Sequence, residues 1–401
     1  MRIRPVGHIR QRSSGSWEIR YNPGNDPRTG KRRTITTTVK GNRKDAEKEL
    51  RRLLRTVDVG DHVAPEKVTL SAWAEHWISI GCPGQRRRKV GQLSQERYAQ
   101  LLRLYVLPAI GSLKLQRLGS TDIERLYAGL EKRLAQRTLH FLHCTLGACL
   151  GAAVRSRKLA RSPISDMAAT PSPGVGEHGK ALEPDQLQAL LRGFRGTVYF
   201  PIVAVAAFTG ARRSEILALR WSDLDVAAKT LRIERAIEAT EAHGLAIKPP
   251  KTKRGFREIT IDDDLIALLM KERERHLRIA AGVPDGVEVD LPLVRLPPGA
   301  LMFPNPARLG KFSFTALRHP NNITKEFARK AAAMGFPGLR FHDLRGTHET
   351  LLLDKGVGIH VVARRCGHDP AVMLRKYAKR LKSADEKAAE VLGALSKAAL
   401  R

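Results

Sequence analysis

Cysteine is scarce in this sequence: Cys82, Cys144, Cys149 and Cys366 are four in 401 residues, with no CxxC pair. That spacing excludes a disulfide framework and the usual zinc sites, and leaves reduced thiols. Aromatic residues make up 5%, too few for a base-stacking platform that holds single strands. No apolar run is long enough to span a bilayer, and no basic helix carries the Trp/Phe face of a membrane-surface binder. The segment Met1 to Arg20 alternates Arg with apolar and small residues and lacks the continuous apolar stretch of a secretory signal, so a cytoplasmic protein is expected. Acid is short as well. With 71 Lys and Arg against 40 Asp and Glu, the formal charge is +31, which favours a polyanionic partner; duplex DNA contacted along its backbone fits best. The length predicts two or three domains.

Residues 1–60 read as a small unit. Ser16 to Tyr21 and Arg33 to Val39 alternate as strands around a turn-rich loop, and a helix follows with Asn42 as N-cap, Asp45 three residues on, and an apolar stripe of Ala46, Leu50, Leu53, Leu54 and Val57. This unit holds 16 Lys and Arg against 6 Asp and Glu, and the cluster Lys31, Arg32 and Arg33 is expected to touch DNA. Residues 67–165 read as all-helical, with segments near Leu70 to Ser79, Ser94 to Val106, Thr121 to Leu134 (Thr121 and Glu124 forming a capping box) and Arg137 to Ser156. Arg86, Arg87, Arg88 and Lys89 form a cationic loop suited either to phosphate or to solvent. Residues 161–180 concentrate Pro, Gly and Ser as a linker does. From 181 onward the pattern is helical, beginning at Pro184 and interrupted by strand-like Thr230 to Glu238 and Leu245 to Ile261. These two read as a hairpin-like sheet edge whose turn, Lys248 to Gly255, is cationic through Lys251, Lys253 and Arg254. The Pro-rich stretch from Pro284 to Pro306 reads as an irregular loop. The fold class predicted is mainly α with small β-sheets.

Six residues of the second half form an ordered set: Arg212, Lys251, His342, Arg345, His368 and Tyr377. Arg212 follows Gly210, which permits a tight entry to a helix, and Glu215 three positions on shares its face and can orient the guanidinium. His342 and Arg345 stand at i and i+3, as two groups converging on one phosphate would, although the spacing alone is common. Asp369 and Pro370 cap a helix that carries Tyr377 about two turns along. The histidines at 342, 348, 360 and 368 match no zinc motif. Gly24 to Lys31 misses a phosphate-binding loop, with five intervening residues and Arg32 where Ser or Thr is required.

Taken together, TGARRSEILALRWSDLD, KTKRGFREITI, FHDLRGTHETLLLDKGV and CGHDPAVMLRKYAK closely resemble, in order and spacing, the catalytic domain of the tyrosine recombinases, the phage integrase family. The resemblance covers roughly residues 180–385. Residues 67–165 look like the family's core-site-binding domain, residues 1–60 are similar to an arm-type-site-binding domain, and 386–401 read as an amphipathic tail helix. It implies a site-specific recombinase that cleaves and rejoins duplex DNA at attachment sites through a 3′-phosphotyrosine, as a homotetramer on paired sites. No cofactor, ATP or metal is implied; a DNA-bending protein and a directionality factor are candidate partners. Arg212 and Arg345 would clamp the scissile phosphate, Lys251 would donate a proton with Lys253 as its rival, His342 and His368 would share the site, and Tyr377 would attack. The chemistry suits these types: guanidiniums stay charged and grip two oxygens, whereas a phenol is only about 0.1% ionised at pH 7 and needs a base, here His342, and a cationic field. Gly346, Glu349 and Cys366 depart from the family pattern. A silent DNA-binding regulator of the same fold is the alternative; a topoisomerase-like relaxing enzyme would not need residues 1–60.

Overall fold

Alternating side chains close an N-terminal sheet in the computed structural model, which describes residues 7–23, 34–58, 67–84, 90–174, 180–250, 252–284, 287–288, 290–306 and 312–377. β1 (Gly7–Ser13), β2 (Ser16–Tyr21) and β3 (Ile35–Lys40) pair antiparallel in that order. Ile19 and Tyr21 are buried beneath Ala46 of α1 (Arg43–Asp58), with Leu50, Leu53 and Leu54 packed around them. Asn42 and Asp45 cap α1 reciprocally, the Asp45 N–H donating to Asn42 Oδ1 at 3.0 Å and the Asn42 N–H to Asp45 Oδ2 at 2.9 Å. The sheet has one strand more than the expected hairpin. β1 hides in the sequence because Ile9 is its packed apolar residue while Arg10, Gln11 and Arg12 are exposed.

Contacts divide the chain into two units, Met1–Gly176 and Glu177–Arg401. The rest of the first unit is helical: α2 (Leu70–Ser79), α3 (Gln92–Leu101), a π-helical turn (Leu102–Val106), α4 (Leu107–Ile110), α5 (Ser120–Glu131) and α6 (Gln136–Arg155). Trp73, Trp77, Leu102, Leu142, Leu146 and Leu150 fill its core, and Trp73 Nε1 donates to the Cys149 carbonyl at 3.0 Å. Two expectations need correction. The helix over 94–106 starts at Gln92 and widens into the π turn ahead of Pro108, which has no N–H to continue the ladder. The cap of α5 is Gly119, whose N–H donates to Asp122 at 3.0 Å, so Thr121 and Glu124 lie inside the helix. Within 161–180, the first half is pinned: Pro163 is buried, the Ala168 N–H donates to Glu124 at 3.3 Å, and His140 Nδ1 meets the Pro171 carbonyl at 2.7 Å. Composition reads Pro and Ser as punctuation and does not register such contacts.

The second unit begins with α7 (Pro184–Phe194), α8 (Phe200–Thr209) and α9 (Arg213–Ile216). α8 is apolar nearly all round and sits in the core, packed against α7, α10 (Asp263–Ala281) and α12 (Asp343–Asp354). Between α9 and α10 run β4 (Leu224–Asp225), β5 (Thr230–Ile233), β6 (Ala236–Thr240), β7 (Gly244–Lys248) and β8 (Arg257–Thr260). They form two sheets, β4-β5-β8 and the hairpin β6-β7. The cationic stretch is therefore no hairpin turn: it crosses from β7 of one sheet to β8 of the other, and the β6-β7 turn lies at 241–243. Alternation marks a strand without naming its partner. Among its described residues the Pro-rich stretch is irregular apart from one 3-10 turn, Leu291–Leu293, and an isolated β-bridge from Leu301 to Arg220. α11 (Pro320–Ala333) supplies Phe327, stacked on Phe194 at 5.5 Å, and α13 (Ile359–Cys366) and α14 (Pro370–Tyr377) complete the unit. Among the described residues no helix is long and apolar enough to cross a membrane.

Candidate active site

The site is built on two glycine-closed helix ends. α8 stops at Gly210 in the left-handed region, φ +63°, where an added Cβ would lie 2.7 Å from the His348 ring. Two residues on, Arg212 is the N-cap of α9. Glu215 takes the Arg212 N–H at 2.8 Å on one oxygen and the Arg212 guanidinium at 2.8 Å on the other. The first of these oxygens also accepts from Arg257 of β8 at 2.8 Å. Burial would push the Glu215 carboxyl up, but Arg257 and then Arg212 outweigh it and hold it below the usual carboxylate range. Arg212 keeps 39% exposure beside this buried anion.

α13 ends at Gly367, φ +65°, and the next turn leads into α14. Arg212 reaches the Gly367 carbonyl at 3.3 Å. Arg345, on α12 and 3% exposed, donates to the Gly210 carbonyl at 2.7 Å and also to the Cys366 carbonyl. Glu349, one helical turn after Arg345 and fully buried, lies 3.3 Å from Arg345 Nε and 2.8 Å from His368 Nε2. Burial lowers the basicity of Arg345 and lifts the Cys366 thiol to about 11. Arg254 pairs with Asp369, which draws the stretch after β7 onto the His368 turn, and the Asp369 carboxylate caps α14 by accepting the Ala371 N–H at 3.0 Å.

Of the residues singled out from sequence, Arg212, Glu215, Arg345 and His368 come together around Cys366–His368, with Arg254 beside them. His342 is exposed at the N-cap of α12, so the two members of its i, i+3 pair differ sharply in burial: the main-chain carbonyls of Gly210 and Cys366 draw Arg345 inward. Lys253 is exposed in a 3-10 turn. Tyr377 is the last backbone position of α14; its phenol, together with Lys251, Lys31, Arg32, Arg33, Arg86, Arg87, Arg88, Lys89 and the tail from 378, lies outside the described residues. The sequence reading missed Arg257 and the parts played by Glu349 and His348. Arg257 could have been found as a charge on the inward face of a strand, and Glu349 from its i+4 spacing to Arg345. His348 faces the core: its Nδ1 donates to the Ala207 carbonyl at 2.9 Å, Nε2 accepts from Arg365 at 3.2 Å, and burial beside Arg365 lowers its pKa to about 4.

Comparison with known proteins points one way. The sequence model of the phage integrase family matches residues 180–384. An integrase of Streptomyces ambofaciens is 26% identical over 393 residues, covering 95% of this chain and 94% of that protein. Among solved structures, the Tn1549 transposon integrase in complex with transposon right end DNA is similar with a TM-score of 0.60 at 17% identity, over 77% of this chain and 94% of that one. The lambda integrase tetramer bound to a Holliday junction is similar with a TM-score of 0.52 at 15% identity, over 90% and 95%. The likeness to these structures is one of fold.

Proposed function

The chain belongs to the phage integrase family, and from that premise we propose that it is a tyrosine-type site-specific recombinase that integrates or excises a mobile element. The observation that carries the reading is the joint anchoring of Arg212 and Arg345 on the turn just ahead of the helix that ends at Tyr377. A phosphodiester in transit spreads negative charge over its oxygens, and guanidiniums fixed by buried carboxylates meet that charge without reorganising.

In this reading the Tyr377 oxygen attacks phosphorus, the bond to the 5′-oxygen breaks, and Lys251 gives that oxygen a proton; His342 takes the phenolic proton and His368 assists at the phosphate. The 3′-phosphotyrosine keeps the bond energy, so a second 5′-hydroxyl reverses the step on a new strand. Residues 1–60 and 67–165 serve as DNA-binding domains for arm-type and core sites, and 161–180 link them to the catalytic domain 181–385. The basic clusters, Lys31 to Arg33 and Arg86 to Lys89, bind phosphates. The working form is a tetramer on paired sites in the cytoplasm, as the lambda integrase tetramer on a Holliday junction suggests by likeness of fold, and a DNA-bending protein and a directionality factor assist. The test is a nicked suicide duplex carrying the cognate site, identified by sequencing the junctions of the element. Wild type traps a covalent adduct without Mg²⁺ or ATP and Tyr377→Phe does not. An undiminished adduct in the variant sinks the nucleophile, and none from wild type favours a silent regulator.

A further inference from the structure

Glu349 is fully buried, and an ionised carboxylate stays buried when cations and hydrogen bonds surround it. Arg345 Nε and His368 Nε2 provide these at 3.3 and 2.8 Å. Arg345 Nε also stands 3.3 Å from His368 Nε2, but that nitrogen cannot give a proton to the carboxylate and accept one from the guanidinium at the same time. The shorter contact decides: with the carboxylate ionised, the proton between ring and carboxylate lies on Nε2 and is donated to Glu349 Oε1, while Arg345 stands beside the carboxylate as its ion-pair partner. The ring is then fixed in orientation and in proton placement, as a buried carboxylate does for an active-site histidine. Its second nitrogen, Nδ1, is left to take a proton and donate it to a phosphate oxygen.

We propose that Glu349 is a positioning residue for strand cleavage: its carboxylate accepts the Nε2–H of His368, so that Nδ1 is the nitrogen that, once it carries a proton, donates to the scissile phosphate. The inference rests on the recombinase reading above. Arg345 has two further bonds that do not involve Glu349, to the carbonyls of Gly210 and Cys366, whereas Glu349 is the one side-chain acceptor for the His368 ring among the described residues.

The test uses the full chain labelled with ¹⁵N-histidine, the His368 ring assigned by the signal lost in His368→Asn, together with single-turnover adduct formation on the nicked duplex. Wild type at mildly alkaline pH is expected to show Nε2 protonated and Nδ1 bare. Glu349→Ala should release the ring into a mixture of both forms and slow cleavage at saturating DNA by about tenfold or more, with DNA affinity within about twofold of wild type. Glu349→Gln, whose amide oxygen accepts the same proton, should restore the ring signal and most of the rate. A ring and a rate both unmoved in Glu349→Ala overturn the proposal, and so does a folded Glu349→Gln that rescues neither. Should Glu349→Ala fail to fold, the wild-type ring decides: an Nδ1–H form in an active protein overturns the role of Glu349 alone. An Nε2–H ring in a wild type that forms no adduct overturns the recombinase reading, and with it the reaction this contact serves.

Discussion

Arg212 and Arg345 donate to consecutive carbonyls, those of Gly367 and Cys366. Two guanidiniums from different helices are thus tied to one turn, and the turn itself is held by a residue that needs positive φ.

Gly367 tests this tie. It sits at φ +65°, and a Cβ there would meet the Arg254 carbonyl at 2.8 Å. Gly367→Ala should cost about 1–3 kcal/mol in urea unfolding and lower the cleavage rate through both arginines at once. A variant as stable and as fast as wild type would break the link.

Glu215 is shared by Arg212 and Arg257. Removing it strands the Arg257 charge, so Glu215→Ala should destabilise by about 3–5 kcal/mol, measured by denaturant titration. Glu215→Gln, which keeps one of the two acceptor oxygens, should lose less.

His348 gives the fold an acid limit. Its neutral ring has a pKa near 4 in the native state against about 6.5 unfolded, so between these values the unfolded chain binds more protons. Its contribution is complete above pH 6.5 and falls away as pH drops toward 4, by about 3 kcal/mol in all. Thermal melts at pH 7.5 and 5 should show about 2 kcal/mol of that loss in wild type and less of it in His348→Gln.

The general-acid assignment separates Lys251 from Lys253. Lys251→Ala should slow cleavage of an ordinary duplex by about 10²–10⁴-fold, yet cut normally a duplex whose scissile 5′-oxygen is sulfur, since a thiolate leaves unprotonated. The same pattern at Lys253 instead would transfer the role.

The charge of +31 makes affinity for DNA an ionic-strength measurement. Filter binding or anisotropy should show a fall of about 10³-fold or more between about 50 and 200 mM salt, and a flat response would contradict backbone tracking.

Local signals in the sequence were legible where local physics decides. Asn42 and Asp45 cap α1 as their spacing says, Pro184 opens α7, and Asp369 and Pro370 open α14. The mainly α fold with small sheets follows from such signals, and the family from four strings read jointly. What escaped was set by distance along the chain. β8 pairs with β5 across the hairpin β6-β7, a choice alternation leaves open. His348 meets a carbonyl 141 positions away, and Glu349 looked like a mere departure until the turn at His368 folded back over it.

Glu215, Arg212 and Arg257 also have a consequence for anyone who redesigns this domain. One carboxylate answers two guanidiniums from a helix start and a strand, so the three positions form a single unit of inheritance. A library randomised at one of them samples mostly broken proteins; varied as a set, the same three positions offer a way to exchange the cationic chemistry of the site while keeping its scaffold intact.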